Sequence, residues 1–441
     1  MPFQNVTMEK IVSLAKRRGF IFSGSEIYGG LQNSWDYGPL GAQLKKNIKD
    51  EWWRRFVECR DDMVGLDAAM LMNPKVWEAS GHIKTFNDPL IECKKCHERF
   101  RADQLLDLKA CPSCGEKKTF TEARQFNLML KTFLGPAEEN ANIVYFRPEI
   151  AQAMFANFKH ILEVTRKKLP FGIASIGRAF RNEITPGNFI FRTREFDLME
   201  FEYFVKESEW EKYFEYWLSE MKEWMRDLGI NSKHVHMVEV SKEDRAHYSK
   251  RTIDIEYDYP FGRKELYGLA YRGDFDLSNH AEKSGADLSY VDLETKEKFI
   301  PHVIEPSFGL DRSVLVTLLE AYHEEQAPTG DGGEDTRVVL KLPAWVSPIK
   351  IAILPLSKKE ELIKVARPLY EKLKQHWVCE YDETQSIGKR YRRQDEIGTP
   401  YCITVDFDSV KTDEVTVRDR DTMKQERISI KNINKFFEEK L

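Results

Sequence analysis

The sequence predicts an α+β chain of two domains with a small cysteine module set into the first. Three observations predict it. Residues 171–183 and 189–204 read as strands, and ITPGN (184–188) between them supplies Pro and Gly for the turn of an antiparallel hairpin. Four cysteines fall as CKKC (93–96) and CPSC (111–114). After residue 336, strand-like and helix-like segments alternate, as in a compact α/β domain of about a hundred residues.

A chain of 441 residues can bury two or three cores. No apolar run approaches the ~20 residues that span a bilayer, so no membrane role is expected. The start, MPFQNVTMEK, lacks the apolar core of a signal peptide, and a cytoplasmic protein is expected. A net charge of −5 argues against nonspecific coating of nucleic acid and leaves room for a local basic patch. Seven cysteines, an odd count with two CxxC pairs, point to reduced thiols and a metal.

The elements follow in order. Residues 8–18 place Ile11, Leu14 and Ala15 at helical spacing, and 40–58 do so more strongly. Trp52 and Trp53 there read as helix core or dimer packing. GSEIYGG (24–30) is a loop without the GxxxxGK[ST] pattern of a phosphate loop. Residues 209–228 form a Trp-rich amphipathic helix; 263–275 and 299–307 are strands. Residues 308–322 open on glycine-bearing FGLDR and continue as an apolar helix. EEQAPTGDGGEDT (324–336), acidic and Gly-rich, is expected as an exposed linker or loop. Then come a strand (349–357), a helix (361–376), strands at 400–408 and 415–419, and a terminal helix (428–441). Cys379 and Cys402 read as core thiols.

The spacing C-x2-C-x14-C-x2-C lets Cys93, Cys96, Cys111 and Cys114 surround one tetrahedral zinc, two from each knuckle. It is one residue short of the usual range, and His97 is an alternative ligand. With all four ligands from protein no position stays open, so the zinc is expected to be structural. That argues against a zinc hydrolase.

The segment 177–204, GRAFRNEITPGNFIFRTREFDLMEFEYF, interleaves arginines, carboxylates and aromatics. Strand alternation puts Arg181 and Glu183 on one face, and gives Arg192, Arg194, Phe196, Glu200 and Glu202 one parity. Such arginines would grip phosphates through planar, charge-assisted hydrogen bonds. Phe196 would stack a purine, and the glutamates beyond it would hold an ammonium. By charge alone the segment is equally a sheet surface laced with salt bridges.

FRNE (180–183), Arg192 to Phe196, and GLDR (309–312) before an apolar helix resemble motifs 2 and 3 of class II aminoacyl-tRNA synthetases. With GSEIYGGLQNSWDYGPLG (24–41), VGLDAAMLMNPKVWEASGH (64–82), FRPEIAQ (146–152), RGDFDL (272–277) and EPSFGLDR (305–312), the chain resembles the bacterial-type homodimeric glycyl-tRNA synthetases. The resemblance implies the class II antiparallel sheet flanked by helices over residues 1–335, a zinc insertion at about 90–120, and an anticodon-binding domain over 345–441. It implies ATP, Mg²⁺ and structural Zn²⁺, with glycine and tRNA(Gly) as partners. VGLDAAMLMNP (64–74), similar to motif 1, implies a homodimer.

Residue roles are implied in the same way. Arg181 takes the α-phosphate, Arg192 the γ-phosphate, and Arg312 the other side of adenine and the γ-phosphate; these three are the catalytic cations. Glu183 reads the adenine amino group and Phe196 stacks on the ring. Asn182, Phe191, Thr193, Arg194, Glu195, Leu266, Gly309, Leu310 and Asp311 complete the ATP contacts. Glu265 joins them and is the candidate Mg²⁺ ligand. Glycine is expected between the carboxylates Glu149, Glu200 and Glu305, with Ser307 against its α-carbon and Arg101 and Arg272 near its carboxylate. The neighbours Phe196 to Met199 (with Asp197 and Leu198) and Pro306, Phe308 and Gly309 line the same pocket. Ile150 stands where the family has threonine, so any hydrogen bond from that hydroxyl is missing.

The chemistry implied is in-line attack of the glycine carboxylate on the α-phosphorus, then transfer to the tRNA 3′ end. No editing domain is expected, because every competitor of glycine is larger and a wall can exclude it. In the basic run SIGKRYRR (386–393), Lys389, Arg390, Arg392 and Arg393 are candidate tRNA phosphate contacts, with Tyr391 to stack on a base. Composition alone makes that run equally a solvated face. Two other classes compete: a noncatalytic synthetase-like binder, against which the three retained arginines argue, and a class II enzyme for threonine, proline or histidine, against which the carboxylates and EPSFG argue.

Overall fold

The computed structural model describes residues 6–105, 109–136, 143–246, 248–328 and 333–441. A seven-stranded sheet holds the larger part together. Its strands are β1 (Met63–Gly65), β2 (Phe171–Phe180), β3 (Glu195–Val205), β4 (Val235–Glu239), β5 (Arg251–Tyr259), β6 (Gly262–Gly273) and β7 (His302–Gly309). The spatial order is β4-β5-β6-β7-β3-β2-β1. Every pairing is antiparallel except β1 with β2.

Alternation along β3 splits its side chains between two cores. Met199, Phe201, Tyr203 and Val205 enter the larger one; Leu198 and Phe204 enter the smaller. The helices are α1 (Met8–Arg18), α2 (Pro39–Trp53), α3 (Trp210–Asp227), α4 (Phe275–Ser284) and α5 (Leu310–Ala321). The first three and α5 supply the larger core, where Trp52, Phe56, Phe201, Trp217 and Phe308 pack ring on ring. Burying one such phenylalanine contributes about 1.5–3 kcal/mol. Short helices at 151–156 and 158–165 cover the opposite face with α4. Ile150 is fully buried in that smaller core, so packing replaces the hydroxyl of the family's threonine.

The hairpin departs from expectation at its tip. β2 stops at Phe180 and β3 begins at Glu195. Arg181 N still donates to Arg194 O (2.8 Å), but Asn182 N donates to Leu128 O (2.7 Å) and leaves the ladder. Asn188 and Phe189 then take left-handed φ of 56° and 60°, opening a single 3₁₀ turn. Strand parity therefore does not govern Arg181, Glu183, Arg192 or Arg194.

The expected linker is also structured. β8 (Tyr322–Pro328) and β9 (Glu334–Leu340) form a two-stranded antiparallel ribbon, and residues 329–332 of that stretch lie outside the described residues. Arg337, buried in β9, bonds Glu325 across the ribbon and Asp395 beyond it (2.7 and 3.0 Å). The strand runs through residue 335, where the first domain was expected to end.

Five strands follow: β10 (Ile351–Pro355), β11 (Cys379–Tyr381), β12 (Tyr401–Val405), β13 (Glu414–Asp419) and β14 (Gln425–Ser429). Their order is β11-β10-β12-β13-β14, with the first three parallel and the rest antiparallel. Helices α6 (Glu360–Leu373), α7 (Ile387–Ile397) and α8 (Ile433–Glu438) complete this part. The terminal helix is shorter than expected because Gln425–Ser429 pair with β13 as an edge strand.

Candidate active site

Three neighbouring strands build the floor. Glu200 of β3 pairs in register with Ser307 of β7, which pairs with Gly268 of β6. Glu305 lies two residues along β7, so both carboxylates and the serine share one face. Ser307 Oγ donates to Glu200 Oε1 at 2.5 Å. The glycine at 268 leaves this floor without a side chain.

The carboxylates are buried and crowded. Glu149 faces His82 Nε2 at 3.2 Å, accepts from Gln152 Nε2 at 2.9 Å and lies 4.0 Å from Arg272. Burial alone would raise its pKa, but His82, Arg272 and Gln152 outweigh it and hold the group well below the usual carboxylate range. Glu200 goes the other way: burial, then the charge of Glu305, pushes its carboxyl up to about 8. Glu305 is raised too, with burial outweighing Arg272. Glu202, two residues deeper on β3, has no hydrogen-bond partner among the described residues and is raised as well, by burial and by Glu305. Arg272, fully buried, bonds Asp276 twice (2.7 and 2.9 Å) and Glu305 once (2.7 Å). The set carries more carboxyl groups than cations, an environment that favours an incoming ammonium.

The other end of the cleft gathers arginines, with carboxylates between them. Arg181, Glu183, Arg192, Arg312, Phe191, Phe196, Glu265 and Gly309 line a cavity of about 290 Å³. Arg181 lies over Phe196 (5.2 Å to the ring centre) and donates to Pro148 O. Arg312 begins α5, lies 4.6 Å from the Phe191 ring centre and pairs with Glu265 at 3.0 Å. A buried oxygen of Glu183 lies 4.0 Å from Arg192 and has no hydrogen-bond partner among the described residues, which leaves it open to a donor. A second cavity of about 270 Å³ shares Arg181, Glu200, Glu265 and Ser307 with the first and also holds Glu149 and Glu305. The two are lobes of one cleft, basic at one end and acidic at the other.

Not every expected residue reaches it. Met199 and Phe308 point into the larger core, since their parity is odd to Glu200 and Ser307. Leu310 is buried there as well. Asp197 and Asp311 border the cavity, but their carboxylates pair with Lys45, that of Asp197 also with Arg178 and that of Asp311 with Tyr37. Arg194 donates to Gln32 O and Glu195 pairs with Arg178, both beside a neighbouring cavity. Arg101 lines the basic lobe, paired with Asp88 and Asp103. Thr193 and Leu266 line the basic lobe, and Leu198 lines its floor. Sequence reasoning missed His82, Gln152 and Asp276, although SGH (80–82) and the i,i+4 spacing of Arg272 to Asp276 carried a signal. It also missed Tyr37 and Lys45, which only the fold brings near.

The cysteines meet as expected. All four Sγ atoms lie within 4.8 Å of one another, with Cys93–Cys114 and Cys96–Cys111 at 3.7 Å. Zn–S bonds of about 2.3 Å at tetrahedral angles put sulfurs about 3.8 Å apart, so the set fits zinc. His97 is exposed and turned to Glu92, outside the cluster. Glu265 offers carboxylate oxygen beside its pairing with Arg312; Glu256 faces it across the β5–β6 pair, and Asp254 is raised to about 7 by burial and these two carboxylates. That chemistry suits Mg²⁺.

The basic run falls on α7 and divides. Lys389 is exposed. Arg390 is buried and donates to the carbonyls of Pro355, Asp382 and Leu356, so it is a brace and not a phosphate contact. Arg393 pairs with Asp382, and Tyr391 bonds Thr404.

Residues 132–322 match the tRNA synthetase class II core domain (G, H, P, S and T), and residues 350–440 match the anticodon binding domain. The chain is 53% identical to the glycine–tRNA ligase of Geobacillus thermodenitrificans, over 99% of this chain and 98% of that one. It is 50% identical to the glycine–tRNA ligase of Thermobifida fusca, over 100% and 99%. Among solved structures, prolyl-tRNA synthetase from Cryptosporidium parvum complexed with L-proline and AMP superposes with a TM-score of 0.64 over 97% of this chain and 77% of that one, at 16% identity, a likeness of fold alone. No helix among the described residues is long and apolar enough to cross a membrane.

Proposed function

We infer the function of this chain from one premise: it belongs to the glycine–tRNA ligase family, with class II synthetase architecture. It activates glycine with ATP to glycyl-adenylate and pyrophosphate, then transfers glycine to the 3′ end of tRNA(Gly). The observation that carries the reading is the single cleft with three arginines at one end and buried carboxylates at the other.

The residues divide the work. Glu149, Glu200 and Glu305 take the glycine ammonium, and Ser307 with the bare Gly268 floor sets the room over the α-carbon. Glu183 accepts from the adenine amino group, while Phe196 and Arg312 hold its two sides. Arg181 and Arg192 meet the phosphates. The glycine carboxylate is already ionised, so the first step needs no general base; positioning and charge stabilisation supply the rate. Glu265 would hold Mg²⁺, which would supply charge neutralisation beside the phosphates. Cys93, Cys96, Cys111 and Cys114 would hold zinc as a structural tie.

The assembly belongs to the same proposal. Catalytic domain to about residue 335, anticodon-binding domain from about 345, and a homodimer in the cytoplasm are the arrangement we assign. Exposed apolar residues in the stretch expected at the interface, Met70 and Leu71, support pairing; light scattering that gave only active monomer would overturn it.

The test is glycine-dependent exchange of labelled pyrophosphate into ATP, with alanine, serine, threonine, proline and histidine in parallel. Exchange with glycine alone is expected. Exchange with another amino acid would overturn the pocket assignment, and none at all would favour a noncatalytic binder.

A further inference from the structure

Phe196 and Arg312 stand on different elements, and each has as chain neighbour an aspartate that borders both the basic lobe and the cavity beside it. Asp197 follows Phe196 on β3; Asp311 precedes Arg312 at the start of α5. Both aspartates are buried, and both meet one amine. Lys45 Nζ of α2 lies 3.0 Å from Asp197 and 2.7 Å from Asp311. Asp311 accepts from the Asp197 backbone N–H (2.7 Å) and from the Tyr37 hydroxyl, whose ring lies 4.1 Å below the Lys45 amine. Arg178 covers the remaining side of Asp197 at 3.1 Å. No part of this cluster is used in the reaction as derived above.

We propose that Lys45, braced by Tyr37, is a positioning residue that sets the separation of the two walls of the adenine slot. The inference rests on the reading that Phe196 and Arg312 bound adenine. Without the amine, two carboxylates remain buried against each other with only Arg178 nearby. Like charges at that distance repel, and the low-dielectric surroundings make the repulsion strong. The strain is relieved by moving β3 away from the start of α5, which widens the slot. In the carboxylate lobe Glu149, Glu305 and Arg272 stand off β3, and Glu200, three residues beyond Asp197, is tied to β7 through Ser307, so glycine binding changes far less than ATP binding.

The test is ATP affinity by calorimetry and the KM for glycine in pyrophosphate exchange, in full-length Lys45→Met. The expected result is ATP binding weakened about tenfold, with the glycine KM within twofold. Adding Asp311→Asn to Lys45→Met removes the unpaired charge and is expected to restore a substantial part of the ATP affinity. Equal losses for ATP and glycine, unchanged ATP affinity, or no rescue would each overturn the proposal. If Lys45→Met does not fold, Tyr37→Phe decides: a rise of about threefold in the ATP dissociation constant alone supports the proposal, and none overturns it. ATP affinity is read without glycine, so an unmodified chain that binds ATP but fails to exchange with glycine sinks the assigned function and leaves this inference standing or falling by its own numbers.

Discussion

The hairpin tip around residues 181–194 and the helix α7 at 387–397 look alike as sequence: dense arginines with an aromatic between them. In space they do opposite things. Arg181 and Arg192 line an open cavity of about 290 Å³. Arg390 instead spends its guanidinium on three backbone carbonyls inside the C-terminal domain, and Arg393 on Asp382. The difference lies in what surrounds the cation. Arg390 is enclosed by carbonyls, whereas Arg181 and Arg192 border a cavity where a ligand can reach them. Charge density along the chain does not separate the two cases.

Substitution breaks the comparison open. Arg181→Ala is expected to lower pyrophosphate exchange about 10²–10³-fold, the range for losing one charge-stabilising donor, while its melting temperature stays within a few degrees. Kinetics beside a thermal melt check it; a collapsed melt would mean that Arg181 is a brace like Arg390. Arg390→Ala is expected to reverse the pattern. It leaves buried carbonyls unpaired at about 1–3 kcal/mol and lowers the melting temperature, with exchange per folded molecule unchanged.

The acidic lobe sharpens the contrast by pH. Glu200 ionises at about 8 in the folded chain against 4.5 ordinarily. Between those values the folded state holds the extra proton, so stability falls as pH rises from about 4.5 to 8. Glu200→Gln removes that penalty and is expected to melt higher than the parent at pH 8, with the gap closing toward pH 4.5. Its glycine KM is expected to rise about tenfold or more, the scale of a lost charge-assisted hydrogen bond. In the parent, the glycine KM should fall as pH rises through about 8, because the ammonium replaces the Glu200 proton. A flat profile in the parent would remove Glu200 from the ammonium site.

The smallest effect belongs to the exposed end of α7. Lys389→Ala is expected to raise the KM for tRNA two- to threefold and reduce the salt slope by about one, leaving exchange untouched. No change in either would return the whole run to a solvated face.

Legibility followed the range of the interaction. Helices α1, α2 and α3 were legible because amphipathic spacing is local. The cysteine cluster was legible because paired thiols have one common use, and their 3.7 Å spacings bear that out. The hairpin was legible as β2 and β3 but not at its tip, where a bond from Asn182 N to Leu128, distant in sequence, ends the ladder. The linker was misread because its Gly-rich, acidic composition reads as a loop, while the pairing of β8 with β9 and the burial of Arg337 rest on partners remote in sequence, Asp395 among them.

By itself the sequence determined the class II motifs, the zinc-type cysteine set, and which residue types gather at the cleft. Those rest on local spacing and on side-chain chemistry, which a linear chain displays in full. The tertiary structure alone decided that Arg390 is a brace, that Asp197 and Asp311 turn to Lys45, and that Glu200 holds a proton near neutral pH. Each of these depends on burial and on partners from remote elements, and neither exists until the chain has folded.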